Sequence, residues 1–234
     1  MSTGLDASAL HRAVAAIMRW PLPANHAPEG SGLEDVEEIA AEAHAVDPDL
    51  ALQQIVGWLD LVRSWNRKID LTAAKSEVEL AELGVLDAWE IAARIARDGG
   101  GVVDVGSGFG APGIPVAILR PDLEVKLVEP LGKRATFLRN VIGTLGLTAR
   151  VEVMETKGEQ VAEAGIRFDA AISRATLAPD EWLALGDRLA PDGEIVALLA
   201  RDPPPDHAGR RVAWRVDYAT SAGAPRVAVC FAPR

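Results

Sequence analysis

Residues 102–115 (Val-Val-Asp-Val-Gly-Ser-Gly-Phe-Gly-Ala-Pro-Gly-Ile-Pro) limit what this chain can fold into more than any other stretch. Val102 to Val105 form a β-branched apolar run of the kind buried in a parallel sheet. Gly106, Gly108 and Gly110 follow at alternate positions, where the absent Cβ permits positive φ and lets a ligand reach bare backbone. Ile114 to Leu119 then read as an apolar helix with Pro115 in its first turn, where a missing N–H costs little. A strand that empties through glycines into a helix N-terminus leaves amide donors facing a crevice, as nucleotide-cofactor sites require.

The loop by itself fits two ligand classes. Gly108, Gly110 and Gly113 satisfy G-x-G-x-x-G, and Glu129 closes the next strand at a distance suited to gripping a ribose, which is also how dinucleotide-binding domains are built. A lone match of this kind does not choose between a nicotinamide dinucleotide and another nucleoside cofactor.

A chain of 234 residues, 49% of them apolar, can bury one substantial core. The single Cys230 excludes an internal disulfide framework and a cysteine-rich metal cluster, and His11, His26, His44 and His207 lack ligand spacing, so no metal is expected. No apolar stretch is long enough to span a bilayer, so a cytoplasmic protein without membrane partners is expected. The net charge of −10 opposes non-specific phosphate binding. It is unevenly spread. Residues 1–60 carry ten acids against Arg12 and Arg19, whereas residues 201–234 carry six arginines against Asp202, Asp206 and Asp217. That gradient leaves open either a basic C-terminal face or a merely solvated edge.

Along the chain, Ser8–Trp20 reads as a helix capped by Ser8, with Leu10, Val14, Ile17 and Met18 on one face. Pro28–Gly32 reads as a linker, and helices are predicted over Asp35–Ala45 and Asp49–Asn66, the latter with a stripe of Leu52, Ile55, Val56, Leu59 and Val62. From Gly101 strands and helices alternate: Val102–Val105, Gly113–Leu119, Glu124–Glu129, Lys133–Leu145, Arg150–Met154, Gly158–Ala164, Phe168–Ser173, Pro179–Leu189 and Glu194–Leu199. This predicts a doubly wound α/β sheet. After Pro203-Pro204-Pro205, Val212–Tyr218 and Arg226–Phe231 flank a turn-rich Ser221–Ala224, a hairpin signal. An N-terminal extension (1–30), a helical cap (31–98) and a main α/β domain (99–234) follow as the expected divisions.

With the loop placed, four stretches carry a resemblance: Trp65-Asn66-Arg67-Lys68-Ile69-Asp70-Leu71-Thr72-Ala73, the Asp104–Pro115 run, Lys133-Arg134 with Phe137-Leu138-Arg139, and Arg167-Phe168-Asp169 leading to Ser173-Arg174-Ala175. Over roughly residues 45–200 the chain resembles the glucose-inhibited division protein B family. The resemblance implies a Rossmann-like class I S-adenosylmethionine-dependent methyltransferase fold with N-terminal helices and a C-terminal antiparallel hairpin. It further implies methylation of N7 of a guanine in small-subunit (16S) ribosomal RNA, with the free RNA or the 30S subunit as partner. Carried over by position, the methionine end and sugar of S-adenosyl-L-methionine lie against Asp104, Gly106, Gly108 and the backbone near Ala111. Glu129 takes the ribose hydroxyls, and Gly158 and Glu159 border the adenine. Arg174 stands at the mouth facing cofactor or substrate, the candidate catalytic residue, or else forms a structural ion pair with Asp104 or Asp169.

Guanine N7 carries an in-plane lone pair and no proton, so that chemistry needs orientation rather than a general base. The lack of a Ser-His-Asp, Cys-His or paired-carboxylate constellation accords with it. A splayed base would be received on an aromatic or guanidinium face, for which Phe109, Arg174 and Trp182 are the candidates, Trp182 reading better as packing. The chain departs from the family pattern at Gly84-Val85-Leu86-Asp87-Ala88, where only Asp87 of a His, Asp and Ser set is kept, at Asp70, at Lys157 and at Leu199-Ala200-Arg201. Cofactor features are kept better than those that would meet RNA. A relative with a changed substrate, a non-catalytic cofactor-binding module and a nicotinamide-dependent oxidoreductase therefore stand as alternatives.

Overall fold

The β-branched run 102–105 forms the centre of the molecule, as its composition predicts. In the computed structural model, which describes residues 7–20, 22, 46–96, 99–174, 176–200, 207 and 209–234, β1 (Gly100–Val105) pairs in parallel with β2 (Leu123–Val128) and β4 (Ala170–Arg174). β3 (Val151–Met154) and β5 (Glu194–Leu199) extend the two sides. β6 (Arg210–Ala219) and β7 (Pro225–Pro233) are the hairpin, and β7 inserts antiparallel against β5. The order is β3-β2-β1-β4-β5-β7-β6. Because the winding reverses between β1 and β4, a crevice opens beyond the carboxyl ends of these two strands.

Alternation along the strands divides the core between two helical layers. Val102, Val125, Ile172 and Val196 pack with α5 (Gly113–Leu119), α6 (Gly132–Thr144) and the N-terminal helices. Val103, Val105, Ala171 and Ile195 pack on the other face with α7 (Gly158–Glu163) and α8 (Pro179–Leu189).

The N-terminal helices are α1 (Ala7–Ile17), α2 (Pro48–Asn66), α3 (Glu77–Ala81) and α4 (Asp87–Ala92), the last two joined by a π-helical turn over Glu82–Leu86. Asp47 caps α2, accepting from the Asp49 and Leu50 amides at 2.9 and 3.3 Å. The buried stripe of α2 is Ala51, Ile55, Trp58, Leu59 and Val62, while Leu52 and Val56 are only half-buried. In α1, Leu10 and Val14 are buried as expected, but Ser8 lies inside the helix rather than capping it, its hydroxyl accepting from Arg12 one turn on. The helix predicted over Asp35–Ala45, the linker at Pro28–Gly32 and the triple proline lie outside the described residues.

One buried arginine holds the helical layer to the sheet. Arg120, 1% exposed, ends α5, pairs with Asp122 at 2.7 Å and donates to the carbonyls of Ala92, the last residue of α4, and of Ile95 and Ala96 just beyond it. Arg120→Ala would strand the Ala92 and Ile95 carbonyls, Ala96 O keeping the Gly99 amide, and would take the guanidinium counterion from Asp122; it is expected to cost about 3–5 kcal/mol, read as a lowered urea midpoint with unchanged m-value.

Two arginines of the basic C-terminal segment are engaged within the fold. Arg210 is buried, pairs with Asp187 at 2.6 Å and donates to the carbonyls of Ala190, Pro191, Gly193 and Phe231. Arg215 is engaged by Asp217 on its own strand. No helix among the described residues is long and apolar enough to cross a membrane.

Candidate active site

The end of β1 and the glycine loop build the site. Gly106, Gly108 and Gly110 adopt φ of 76°, 58° and 107°, a region that a side chain at Cβ would strain. The Gly106 and Ser107 amides donate to Val128 O at 2.9 and 3.1 Å, tying the loop to the end of β2. Gly113 lets α5 start directly over β1, since a Cβ there would stand 2.4 Å from Leu127 Cδ2 and 2.7 Å from Asp104 Oδ2.

Asp104 is buried under this loop. Its Oδ2 accepts from the Gly113 amide at 3.1 Å, while Oδ1 has no hydrogen-bond partner among the described residues. Burial pushes its carboxyl up to about 6, against the downward pull of the Gly113 amide, Ser107 and Arg174. A carboxylate oxygen buried without a donor is costly, and a cationic or N–H-bearing ligand would relieve it.

Glu129, 3% exposed, closes β2 on the other side. Its two oxygens accept from the Gly108 and Leu131 amides, each at 2.9 Å, so one carboxylate fixes both the glycine loop and the approach to α6.

Between β1 and α7 lies a cleft of about 250 Å³, bordered by Val105, Gly106, Val128, Gly158, Glu159 and Thr176. Gly158 is required where α7 meets β1, because a Cβ there would come within 2.8 Å of Val105 Cγ1 and 3.0 Å of Leu185 Cδ2. The walls are mostly apolar, with the Lys157 and Glu159 side chains at the rim, as suits a flat heterocycle with polar edges.

Arg174, at the end of β4, takes neither of the carboxylates expected from the sequence. Asp169 is engaged by the Gly101 amide at 2.7 Å, and Asp104 feels Arg174 only at long range. Arg174 Nη1 instead pairs with Asp87 Oδ2 at 3.0 Å and donates to the carbonyl of Leu83 in the π-helical turn, while the guanidinium carbon lies 5.7 Å from the Phe109 ring centre. The second Asp87 oxygen accepts from Tyr218 Oη of β6 at 2.8 Å. Burial, with Asp87 adding to it, drives the Tyr218 phenol well above its ordinary value and keeps it a donor.

The sheet order and the antiparallel hairpin leave the chemistry open, and comparison with known proteins decides it. The family model of rRNA small subunit methyltransferase G (GidB) matches residues 51–227, more than half of the chain. The chain belongs to this family. The GidB match runs past the motif stretches into the hairpin and takes in Tyr218. The enzyme named ribosomal RNA small subunit methyltransferase G from an Anaeromyxobacter species is 35% identical over 181 residues, 77% of this chain and 80% of that protein. Its Yersinia enterocolitica counterpart is 34% identical over 173 residues, 73% and 82% of the two. The solved structure of an O-methyltransferase candidate from Klebsiella pneumoniae superposes with a TM-score of 0.54 at 14% identity, covering 85% of this chain and 96% of that one, a likeness of fold.

For this GidB member, Gly106, Gly158 and Glu159 come together on one cleft, and Gly108 and Glu129 are joined by a hydrogen bond beside it. Ala111 is buried before α5 and does not border the cleft. Trp182 is packing, buried and bonded to Val196 O at 3.0 Å. Phe109 is not an open platform, since Trp58 stacks on it at 5.7 Å and Arg174 covers it as well. Sequence reasoning missed Trp58 and Tyr218. The i+3 spacing of Trp58 from Ile55 was a signal, whereas Tyr218 had none.

Proposed function

We propose that the protein binds S-adenosyl-L-methionine in the crevice between β1 and β4 and transfers its methyl group to N7 of a guanine in small-subunit ribosomal RNA. Family membership makes the protein a methyltransferase of small-subunit ribosomal RNA; cofactor, atom and site residues are the proposal. The observation that carries the cofactor reading is the unpartnered Oδ1 of Asp104, buried beneath a glycine loop whose Gly108 would leave a Cβ no neighbour nearer than 3.8 Å. A cationic amino-acid end supplies what that oxygen lacks. Glu129, with further lone pairs on each oxygen, would accept the ribose hydroxyls, and the apolar cleft beside Gly158 and Glu159 would hold the adenine.

Bound S-adenosylmethionine supplies the electrophile, a methyl group on a positively charged sulfur. The chain has then to orient, not to deprotonate. Arg174, held by Asp87 and the Leu83 carbonyl over the buried Phe109–Trp58 pair, would present the guanidinium wall beside the glycine loop against which an unstacked guanine is held in line with the methyl. Deleting the gene and mapping N7-methylguanine in small-subunit RNA tests the reading. Loss of one such nucleotide is expected, and unchanged methylation would refute it.

Asp104 also sets a pH dependence. Its folded pKa, about 6, lies above the ordinary 3.8, so its contribution to stability is complete below about pH 4 and is lost as pH rises through 6, by at most about 3 kcal/mol in the ligand-free protein. A cationic ligand reverses this by favouring the carboxylate. The rise in Tm caused by S-adenosylmethionine should therefore be larger at pH 7 than at pH 5, and Asp104→Asn should flatten the difference; equal shifts at both pH values in the unaltered protein would count against a ligand at Oδ1.

A further inference from the structure

Two segments distant in sequence meet on the cofactor side of the sheet. Residues 63–75 carry Arg63, Arg67, Lys68 and Lys75 against Asp70, and residues 131–139 carry Lys133, Arg134 and Arg139 with no acid. Each segment has a net charge of +3 within a chain of −10, so the remainder stands at −16. Arg134 Nη2 donates to Asp70 O at 3.1 Å, and Trp65 meets Phe137 edge-on at 5.5 Å, which joins the two segments into one surface. α6 begins three residues after Glu129, so this surface adjoins the crevice.

On the side of the first segment lies a concave site of about 220 Å³ bordered by Arg63, Arg67, Thr72, Lys75, Ser76 and Glu77. Asn66 shapes it by accepting from the Leu71 and Thr72 amides at 2.8 and 3.0 Å and donating to Thr72 O at 2.9 Å, a closed turn that presents the basic side chains outward. Arg63 pairs with Asp60 and Arg139 with Glu155. Arg67, Lys68, Lys75 and Lys133 are exposed and have no ion-pair partner among the described residues.

We infer that this surface is a phosphate-docking site that grips the RNA backbone beside the target guanine, an inference that rests on the proposed reaction. A body of charge −16 repels a polyanion, so RNA must be drawn in through a local concentration of unpaired cations. Lysine and arginine heads outside ion pairs are available for that, even with Glu77 on the same rim. A contact to phosphate carries no sequence information; it sets register and orientation, which leaves recognition of the base to the crevice.

The test compares the unaltered protein with the quadruple variant Arg67→Gln, Lys68→Gln, Lys75→Gln, Lys133→Gln and with a charge control on the far hairpin, Arg211→Gln, Arg215→Gln, Arg226→Gln. RNA affinity is measured against salt, and S-adenosylmethionine affinity by calorimetry. If each of the four cations contacts a phosphate, the slope of log affinity against log salt falls by about 3 in the quadruple variant. RNA affinity at 50 mM salt drops by about two orders of magnitude or more, cofactor affinity holds, and the control changes little. RNA affinity and slope equal to those of the unaltered protein, or an equal loss in the control, would overturn the inference while leaving the methyl-transfer reading intact. An unaltered protein that binds no RNA at any salt would overturn both.

Discussion

Glu129→Gln is expected to weaken S-adenosylmethionine binding by about one to two orders of magnitude, measured by calorimetry. Two losses combine. The carboxylate that would take the ribose hydroxyls becomes neutral, and charged hydrogen bonds are worth about 1.5–3 kcal/mol each. The amide also has a single oxygen where Glu129 uses two, one for the Gly108 N–H and one for the Leu131 N–H. Its NH2 must then face one of those donors, so the glycine loop or the entry to α6 loses an anchor. Unchanged affinity would reduce Glu129 to a loop clamp with no ligand role.

Asp87→Ala is expected to be costlier to the protein than its distance from the cleft suggests. Asp87 is 5% exposed and is the counterion of Arg174 and the acceptor for Tyr218. Removing it leaves a largely buried guanidinium without its counterion and a phenol without its acceptor, at about 3 kcal/mol of stability. The wall over Phe109 then loosens, so at a temperature where the variant is folded kcat should fall at least tenfold with cofactor affinity nearly unchanged. Tyr218→Phe removes one hydrogen bond and should cost about 1 kcal/mol. A variant that keeps kcat while losing stability would confine Asp87 to a structural role.

These two residues mark the limit of what the sequence discloses. β1, the glycine loop, α5 and Glu129 were legible because the chemistry is local: β-branched residues, positive-φ glycines and a strand-end acid fall within 28 residues, 102–129. The strand and helix periods likewise disclosed the doubly wound sheet and its closing hairpin. The partner of Arg174 was not legible, because Asp87 and Tyr218 lie 131 residues apart and meet only when β6 is placed beside β7 and the N-terminal helices fold over the sheet. A charge count is blind to burial for a similar reason. Arg210 counted toward a basic face, yet its guanidinium is spent on carbonyls inside the fold.

The family's departures gain a physical cause at one position. Gly84, at a place where the family resemblance leads one to expect a larger polar residue near Asp87, has no room for one. A Cβ there would stand 2.8 Å from Leu59 Cδ2 and 3.2 Å from the Trp58 ring. Trp58 in turn stacks on Phe109 and donates to its carbonyl at 3.0 Å. The wall beside the glycine loop is thus supported by an indole from α2, with the π-helical turn folded against it.

The central claim is methyl transfer from S-adenosylmethionine to guanine N7, and it is tested most directly by incubating the purified protein with labelled S-adenosylmethionine and either small ribosomal subunits or naked small-subunit RNA. Nucleoside digestion should yield labelled N7-methylguanosine at one site, lowered about tenfold or more by Glu129→Gln at limiting cofactor. Cofactor binding without any labelled guanosine from either substrate would contradict the claim.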